Sequence, residues 1–84
     1  MKDLKDTIEL MQSEDFKDRL RAEYWQLKIR YEKLRAMCVK HDAGALDFTL
    51  NCPIELLKNQ AEHMLNYLYA LEVRAEIEGI VLFD

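Results

Sequence analysis

Apolar residues recur three and four positions apart along the last third of the chain. The positions in this repeat are Ile54, Leu57, Ala61, Met64, Leu68, Leu71 and Ala75. Such a heptad is typical of a helix that packs lengthwise against a partner helix. Asn51 is the expected N-cap, Pro53 suits the first helical position, and Gly79 suits a left-handed stop, so the pattern predicts a helix over residues 53–79.

A second apolar stripe lies upstream and predicts the partner helix. Ser13 offers an N-cap, and Glu14 and Asp15 place negative charge in the first helical turn, where the helix dipole favours it. From there to about Lys40 the chain contains neither glycine nor proline. We therefore predict a long amphipathic helix over residues 14–40. Its stripe consists of Phe16, Leu20, Leu27, Tyr31, Leu34 and Cys38.

The order of these elements predicts an all-α fold. Residues 2–12, within an N-terminal segment of residues 1–13, are predicted to form a short helix with Leu4, Ile8 and Met11 on one face. The segment between the long helices contains Gly44, which supports a turn. Two helices of equal length joined by a dozen residues make an antiparallel hairpin. Residues 1–84 are thus predicted to be a single helical domain, a short N-terminal helix followed by a two-helix hairpin.

Further apolar residues lie outside the hairpin seam and predict self-association. Ala22, Trp25, Ile29 and Ala36 lie nearly opposite the stripe of the first long helix, and the chain ends in an apolar tail. The N-terminal helix is too short to cover both patches, so we predict a homo-oligomer. The expected interface residues are Trp25, Ile29, Ile80, Leu82 and Phe83. The alternative is a monomer in which the N-terminus folds back over them.

Composition and motifs exclude several classes of function. A net charge of −4 disfavours binding to a nucleic-acid polymer, and no apolar run is long enough for a signal peptide or a membrane span. Cys38 and Cys52 lie far apart without a CxxC motif, so we expect reduced thiols and neither a metal site nor a cofactor. His41 and His63 lie on different elements, and no catalytic motif accompanies them. We therefore expect binding without catalysis.

Charge is distributed unevenly between the two arms. Residues 14–40 carry a net charge of +3, whereas residues 41–84 carry −6. One interpretation is that the charges only set the register of the hairpin or of neighbouring copies. The other is a pocket for a small anionic nucleotide, because arginine binds phosphate, tyrosine stacks on a base, and amides read base edges. The candidate ligand-binding residues are Arg19, Arg21, Glu23, Tyr24, Lys28, Arg30, Gln60, His63, Tyr67 and Arg74.

Two runs of the sequence carry a resemblance to a known family. The run FKDRLRAEYWQLKIRYEKL and the run LDFTLNCPIELLKNQAEHMLNYLYALEVRAEIEGI resemble the two arms of small helical hairpin proteins of bacteriophages and prophages. The resemblance covers about residues 14–80. It is similar to the hairpin of phage sponges that act against CBASS and Thoeris immunity.

The resemblance implies a function and a location. The sponges assemble as oligomers, commonly hexamers, and sequester cyclic nucleotides or cyclic ADP-ribose isomers without degrading them. In the anti-CBASS members an aromatic residue near the N-terminus, a basic residue in the first arm and an arginine early in the second arm hold the ligand. Here no tyrosine precedes Tyr24, Arg21 falls near the first-arm position, and Gln60 stands near the second-arm position in place of arginine. A sponge of this kind is expected in the cytoplasm of the infected bacterium. The alternatives are a structural or interaction hairpin, and a phage inhibitor that binds another protein.

Overall fold

A computed structural model describes residues 3–83, and all of their regular structure is helical. A 3-10 turn, Leu4–Thr7, leads into a one-turn helix, α1 (Ile8–Met11). Two long helices follow, α2 (Phe16–Asp42) and α3 (Ile54–Glu78). They pack against each other as an antiparallel hairpin in a molecule of 43 × 24 × 21 Å. The predicted all-α fold class is therefore confirmed for these residues.

The predicted seam of α3 faces α2. Its C-terminal half is buried through Leu68, Leu71 and Ala75, and the other four seam residues are half-buried. From α2, Leu20 and Cys38 are buried and Phe16 is about half exposed. The core is thus densest at the end of the hairpin that holds the start of α2 and the end of α3. Both ends of the described chain also lie at this end of the hairpin.

The helix boundaries depend on caps that the sequence predicted only in part. Ser13 is not the N-cap of α2, because the Asp15 carboxylate accepts the amide proton of Lys17 at 3.0 Å while Ser13 Oγ binds the amide of Asp15. Asn51 does not cap α3, which begins after Pro53 without a side-chain cap. Gly79 has the predicted left-handed conformation, with φ of 68°, and its position lets Ile80 N donate to Ala75 O. Helix α3 therefore ends in a reversal that turns the chain back toward α2.

The N-terminal segment packs on α2, with a different inner face from the predicted one. Lys2, in the predicted helix, lies outside the described residues. Thr7 is the buried residue, whereas Ile8 and Met11 are about half exposed. A 3-10 turn has three residues per turn, fewer than an α-helix. The side chain of Thr7 therefore points toward α2, where the predicted α-helix would have placed apolar side chains. Gln26 Nε2 donates to Thr7 Oγ1 at 2.9 Å, which fixes the segment across the outer side of α2 near Ala22.

The chain after Gly79, residues 80–83, is called the tail below. Ile80 is only 5% exposed and belongs to the core. Two carbonyl groups of the tail accept side-chain protons from α2, Val81 O from Arg21 Nε at 2.8 Å and Leu82 O from Trp25 Nε1 at 2.9 Å. The tail is therefore an integral part of the packed domain. Among residues 3–83, no helix combines the length and the apolar character that crossing a membrane requires.

Candidate ligand-binding site

The tail covers one flank of the hairpin, where Arg21, Tyr24 and Lys28 lie. The Arg21 guanidinium is bound to Val81 O and forms an ion pair with Asp18 at 2.9 Å. Lys28 Nζ lies 5.0 Å from the ring centroid of Phe83 and 5.7 Å from that of Tyr24. The three predicted ligand residues of this flank, called the tail flank below, are thus engaged within the chain.

Tyr24 requires a correction to the sequence interpretation. Its ring was expected to be open for stacking on a base, but its side chain is 1% exposed. The rings of Trp25 and Phe83 pack edge-on against it at 5.5 and 5.8 Å. The physical reason is the tail, which returns over this flank and encloses the ring. Tyr24 is therefore a core residue, and its face offers no platform for stacking.

Burial also changes the acidity of Tyr24. Its pKa rises from the ordinary value of 10.0 to about 12, first because burial penalises the phenolate and second because the Glu72 carboxylate lies nearby. The phenol hydroxyl donates to Glu72 Oε1 at 3.4 Å, and Lys28 Nζ lies 3.4 Å from the same hydroxyl oxygen. Tyr24 therefore remains a neutral hydrogen-bond donor at any physiological pH.

The shifted pKa predicts a loss of stability in strong base. Between pH 10 and pH 12 the unfolded chain releases the Tyr24 proton while the folded chain retains it, so unfolding is favoured as pH rises. We expect this residue to account for a decrease of about 2–3 kcal/mol in the free energy of unfolding across that range. Urea denaturation of the wild type and of Tyr24→Phe at several pH values measures it. Parallel pH dependence of the two proteins would contradict the prediction.

The predicted oligomer interface residues are placed largely against one another within a single chain. Trp25 packs on the tail, with its ring 5.4 Å from that of Phe83. Ile80 is buried, and Trp25, Ile29 and Leu82 are half-buried. The N-terminal segment lies across α2 near Ala22, and the tail, which the sequence analysis counted as a second patch to be covered, itself covers Trp25. The predicted homo-oligomer stays a prediction. Phe83 retains half of its surface exposed.

Three predicted ligand residues of α3 line one open groove. Gln60, His63 and Tyr67 form it together with Leu56, Asn59 and Met64, around a volume of about 550 Å³. The spacing of three and four residues puts these side chains on one face of the helix. Apolar side chains form part of the lining, and the amides, the imidazole and the phenol supply polar groups. The groove is of a size that suits a small organic ligand.

The register of the hairpin places one cation of α2 beside this groove. Tyr24 forms a hydrogen bond with Glu72, and Asp42 forms an ion pair with Lys58 at 2.9 Å. These two contacts define the register of the hairpin, that is, which turns of α2 and α3 lie side by side. By that register Arg30 is level with Tyr67. Arg30 lies on the side of α2 away from the tail, and Tyr67 lies on the side of α3 away from Glu72. Both are exposed, so the sequence-predicted residues Arg30, Gln60, His63 and Tyr67 share one flank, called the groove flank below.

The remaining predicted ligand residues lie near the packed end of the hairpin. Arg19 donates to Ser13 O at 2.7 Å and so holds the segment between α1 and α2. Arg74 forms an ion pair with Glu78 at 3.5 Å, one turn along α3. Glu23 is half-buried, level with Arg74 and on the groove flank by the same helical geometry. These residues extend the groove flank but do not line the groove itself.

Sequence reasoning missed Leu56 and Asn59 as lining residues. The signal that could have found them was present, since both lie on the same face of α3 as Gln60 and His63. The heptad assigned Met64 only to the seam, whereas its half-buried side chain also forms the wall of the groove. Within residues 3–83, no three histidine, cysteine or acidic side chains converge where they could hold a metal ion.

The comparisons with known proteins identify a family. The family model described as Sequestin matches residues 14–77, which is more than half of the chain, and the chain therefore belongs to the Sequestin family. The matched range contains Arg30 and every residue of the groove, and it ends before the tail. No curated protein and no solved structure matches the chain.

Proposed function

We propose that this member of the Sequestin family is a phage anti-defence sponge. It binds and sequesters a cyclic nucleotide-type immune signal, either a cyclic oligonucleotide or a cyclic ADP-ribose isomer, and does not cleave it. The family name denotes sequestration of a ligand. The observation that carries the proposal is the groove on α3, because it combines an aromatic ring, amides and an apolar wall in one volume.

The groove chemistry suits a nucleobase. Tyr67 is 46% exposed, so its ring is available for stacking in a way that the buried ring of Tyr24 is not. Stacking of a base on an aromatic side chain is worth about 1–3 kcal/mol. Gln60 and Asn59 each offer a donor and an acceptor to the edge of a base, and the apolar side chains of Leu56 and Met64 exclude water from the contact.

Phosphate recognition falls to Arg30. Its guanidinium is exposed, and within the described chain it has neither a hydrogen bond nor an ion pair. A planar guanidinium binds two phosphate oxygens at once, which gives orientation as well as affinity. Arg21 and Lys28 were equal candidates by sequence, but the tail engages both. The groove flank is therefore the better site for an anionic nucleotide.

The side chains of the groove support the proposal of sequestration without cleavage. Hydrolysis of a phosphodiester shares proton transfers between a general acid and a general base. His63 is the only imidazole or carboxylate among the described groove residues, so no carboxylate stands beside it to form an acid–base pair. A sponge needs only affinity, and the ligand is expected to be recovered intact from the complex.

A second candidate is a non-catalytic interaction hairpin or a protein-binding phage inhibitor. It is favoured by the exposed apolar side chains on the outer side of α3, among them Tyr69 and Ile77. In that case the charged residues of α2 set register and solubility, and the groove holds no small molecule.

Calorimetry separates the two candidates and supplies a prediction. Titration with cyclic dinucleotides, cyclic trinucleotides and cyclic ADP-ribose isomers is expected to give binding by at least one member of the panel. Tyr67→Ala and Arg30→Ala should each weaken that binding at least tenfold, through lost stacking and lost phosphate contacts. Arg35→Ala is the matched control for Arg30→Ala, because Arg35 is exposed on the tail flank. The affinity of Arg35→Ala for the ligand should stay within twofold of the wild-type affinity.

Two results would decide against the sponge. One is the absence of measurable binding to any ligand of the panel by folded, wild-type protein. The other is equal loss of affinity in Arg30→Ala and Arg35→Ala, which would indicate general electrostatic attraction rather than a site. Chromatography of the ligand after release by heat tests cleavage, since a sponge returns the same molecule that was added.

A further inference from the structure

A cavity lies between the end of α3 and the tail. It has a volume of about 420 Å³, with the last two turns of α3 on one side and the tail on the other. Two carboxylates and several apolar side chains line it, namely Glu72, Ala75, Glu76, Ile80, Leu82 and Phe83. It shares no lining residue with the groove on α3, so this cavity, called the tail pocket below, is a separate site. Its volume suits a small organic molecule.

The carboxylates of the tail pocket are not neutralised by the described part of the chain. Glu76 is exposed, and its carboxylate has neither a hydrogen bond nor an ion pair within residues 3–83. Glu72 accepts one long hydrogen bond, of 3.4 Å, from the Tyr24 hydroxyl, and the same residues offer it no ion-pair partner. The two glutamates lie one turn apart on α3, so their side chains are neighbours. A cation in the pocket therefore meets two carboxylates.

The end of α3 adds to the negative charge of the pocket. The last carbonyl groups of a helix lack intrahelical partners and carry the negative end of the helix dipole. A basic side chain in the last turn often offsets that charge, but the last turn of α3 contains none. Residues 72–78 hold three glutamates against one arginine, and that arginine, Arg74, is paired with Glu78. The helix wall of the pocket therefore attracts a cation.

The tail wall of the pocket contains a ring that already attracts a cation. Lys28 Nζ, from α2, lies 5.0 Å from the ring centroid of Phe83, which is within the range of a cation–π contact. Phe83 is 50% exposed, so part of its surface remains open to the pocket that it lines. The other cation near the tail, Arg21, is paired with Asp18. Neither cation of α2 lines the pocket, so its negative charge is left for a ligand.

We infer that the tail pocket binds an aliphatic ammonium compound. The ammonium group binds the carboxylates of Glu72 and Glu76, and the hydrocarbon chain lies on the apolar side chains of Ile80 and Leu82. A diamine suits the pocket better than a monoamine, because each carboxylate can bind one ammonium group. The same carboxylates repel anions. The inference is therefore independent of the proposed sponge function, which places an anionic ligand on the groove flank.

Four probes with the same four-carbon chain test the inference, namely diaminobutane, butylamine, butanol and butanoate. Each is titrated into the isotope-labelled full chain and followed by NMR, which detects weak binding and locates it through the backbone amides. We expect diaminobutane to shift the amide signals of Gly79, Ile80 and Val81. It should bind at least about threefold more tightly than butylamine, since it makes a second charge-assisted contact. Butanol and butanoate should leave these signals unchanged.

Substitution of the carboxylates tests which residues bind the ammonium groups. Glu76→Gln removes one charge and keeps the size of the side chain, so it should weaken diaminobutane binding at least about fivefold while circular dichroism shows unchanged helix content. Glu72→Gln is a second variant with the same expected loss. Glu62→Gln is the matched control, because Glu62 is an exposed glutamate of α3 that does not line the pocket. The affinity of Glu62→Gln for diaminobutane should stay within about twofold of the wild-type affinity.

Four outcomes would overturn the inference. The first is the absence of amide shifts around Gly79 with either amine. The second is wild-type affinity for diaminobutane in both Glu72→Gln and Glu76→Gln. The third is an equal loss of affinity in Glu62→Gln and Glu76→Gln, which would indicate general attraction of cations to an acidic chain. The fourth is equal binding of butanol and diaminobutane, which would mean that apolar contact alone holds the probe.

Discussion

Replacing Tyr24 with alanine is expected to destabilise the protein by about 3–5 kcal/mol, the range for removing a buried aromatic side chain. Tyr24 is 1% exposed and touches the rings of both Trp25 and Phe83. Its loss opens a cavity at the junction of α2, α3 and the tail. Small domains are stable by only about 5–15 kcal/mol, so the variant should lose much of its stability. Urea denaturation followed by circular dichroism measures the change.

Tyr67→Ala is the matched control, because it makes the same substitution on an exposed side chain of α3. We expect a change below about 1 kcal/mol in the absence of ligand, as is usual for surface positions. Tyr24→Phe keeps the ring and removes only long hydrogen bonds, so it should also cost less than about 1 kcal/mol near neutral pH. If Tyr24→Ala proved as stable as Tyr67→Ala, the ring would not be part of the core.

Replacing Ile80 with alanine is expected to have the second-largest effect, a destabilisation of about 2–4 kcal/mol. Ile80 is buried and lies next to Gly79, where the chain reverses toward α2. Its side chain anchors the tail, so its loss should also free the tail carbonyl groups from Arg21 and Trp25. Trp25 is the only tryptophan of the chain and reports this release. Its fluorescence should move to longer wavelength as its ring becomes exposed to water.

Val81→Ala supplies the control for Ile80→Ala. Val81 is the next residue of the tail and is 65% exposed, so the same kind of truncation should change stability by less than about 0.5 kcal/mol. Its backbone carbonyl, which binds Arg21, is unaffected by the substitution. An Ile80→Ala protein with unchanged Trp25 fluorescence would mean that the hydrogen bonds alone hold the tail in place.

Much of the candidate site was predictable because it lies on one regular helix. Gln60, His63 and Tyr67 were selected from their spacing along α3, and a helix brings side chains at such spacing to one face whatever it packs against. Arg30 needed the register of the hairpin before it could be placed beside Tyr67. The sequence made Arg21 and Lys28 equally good candidates for binding phosphate. Only the position of the tail shows that they are engaged within the chain.

The sequence by itself determined the two long helices and the seam between them. Helical periodicity is local, so the heptad of α3, the uninterrupted amphipathic run of α2 and the stop at Gly79 are all visible without knowledge of the rest of the chain. Only the tertiary structure determined that the tail packs on α2 and that Tyr24 is buried. The tail has four residues and no period, and its contact with Arg21 spans sixty positions. A contact over that distance in sequence forms only because the packed helices bring the two segments together. A segment of four residues has no periodic pattern from which its contact with a distant residue could be predicted.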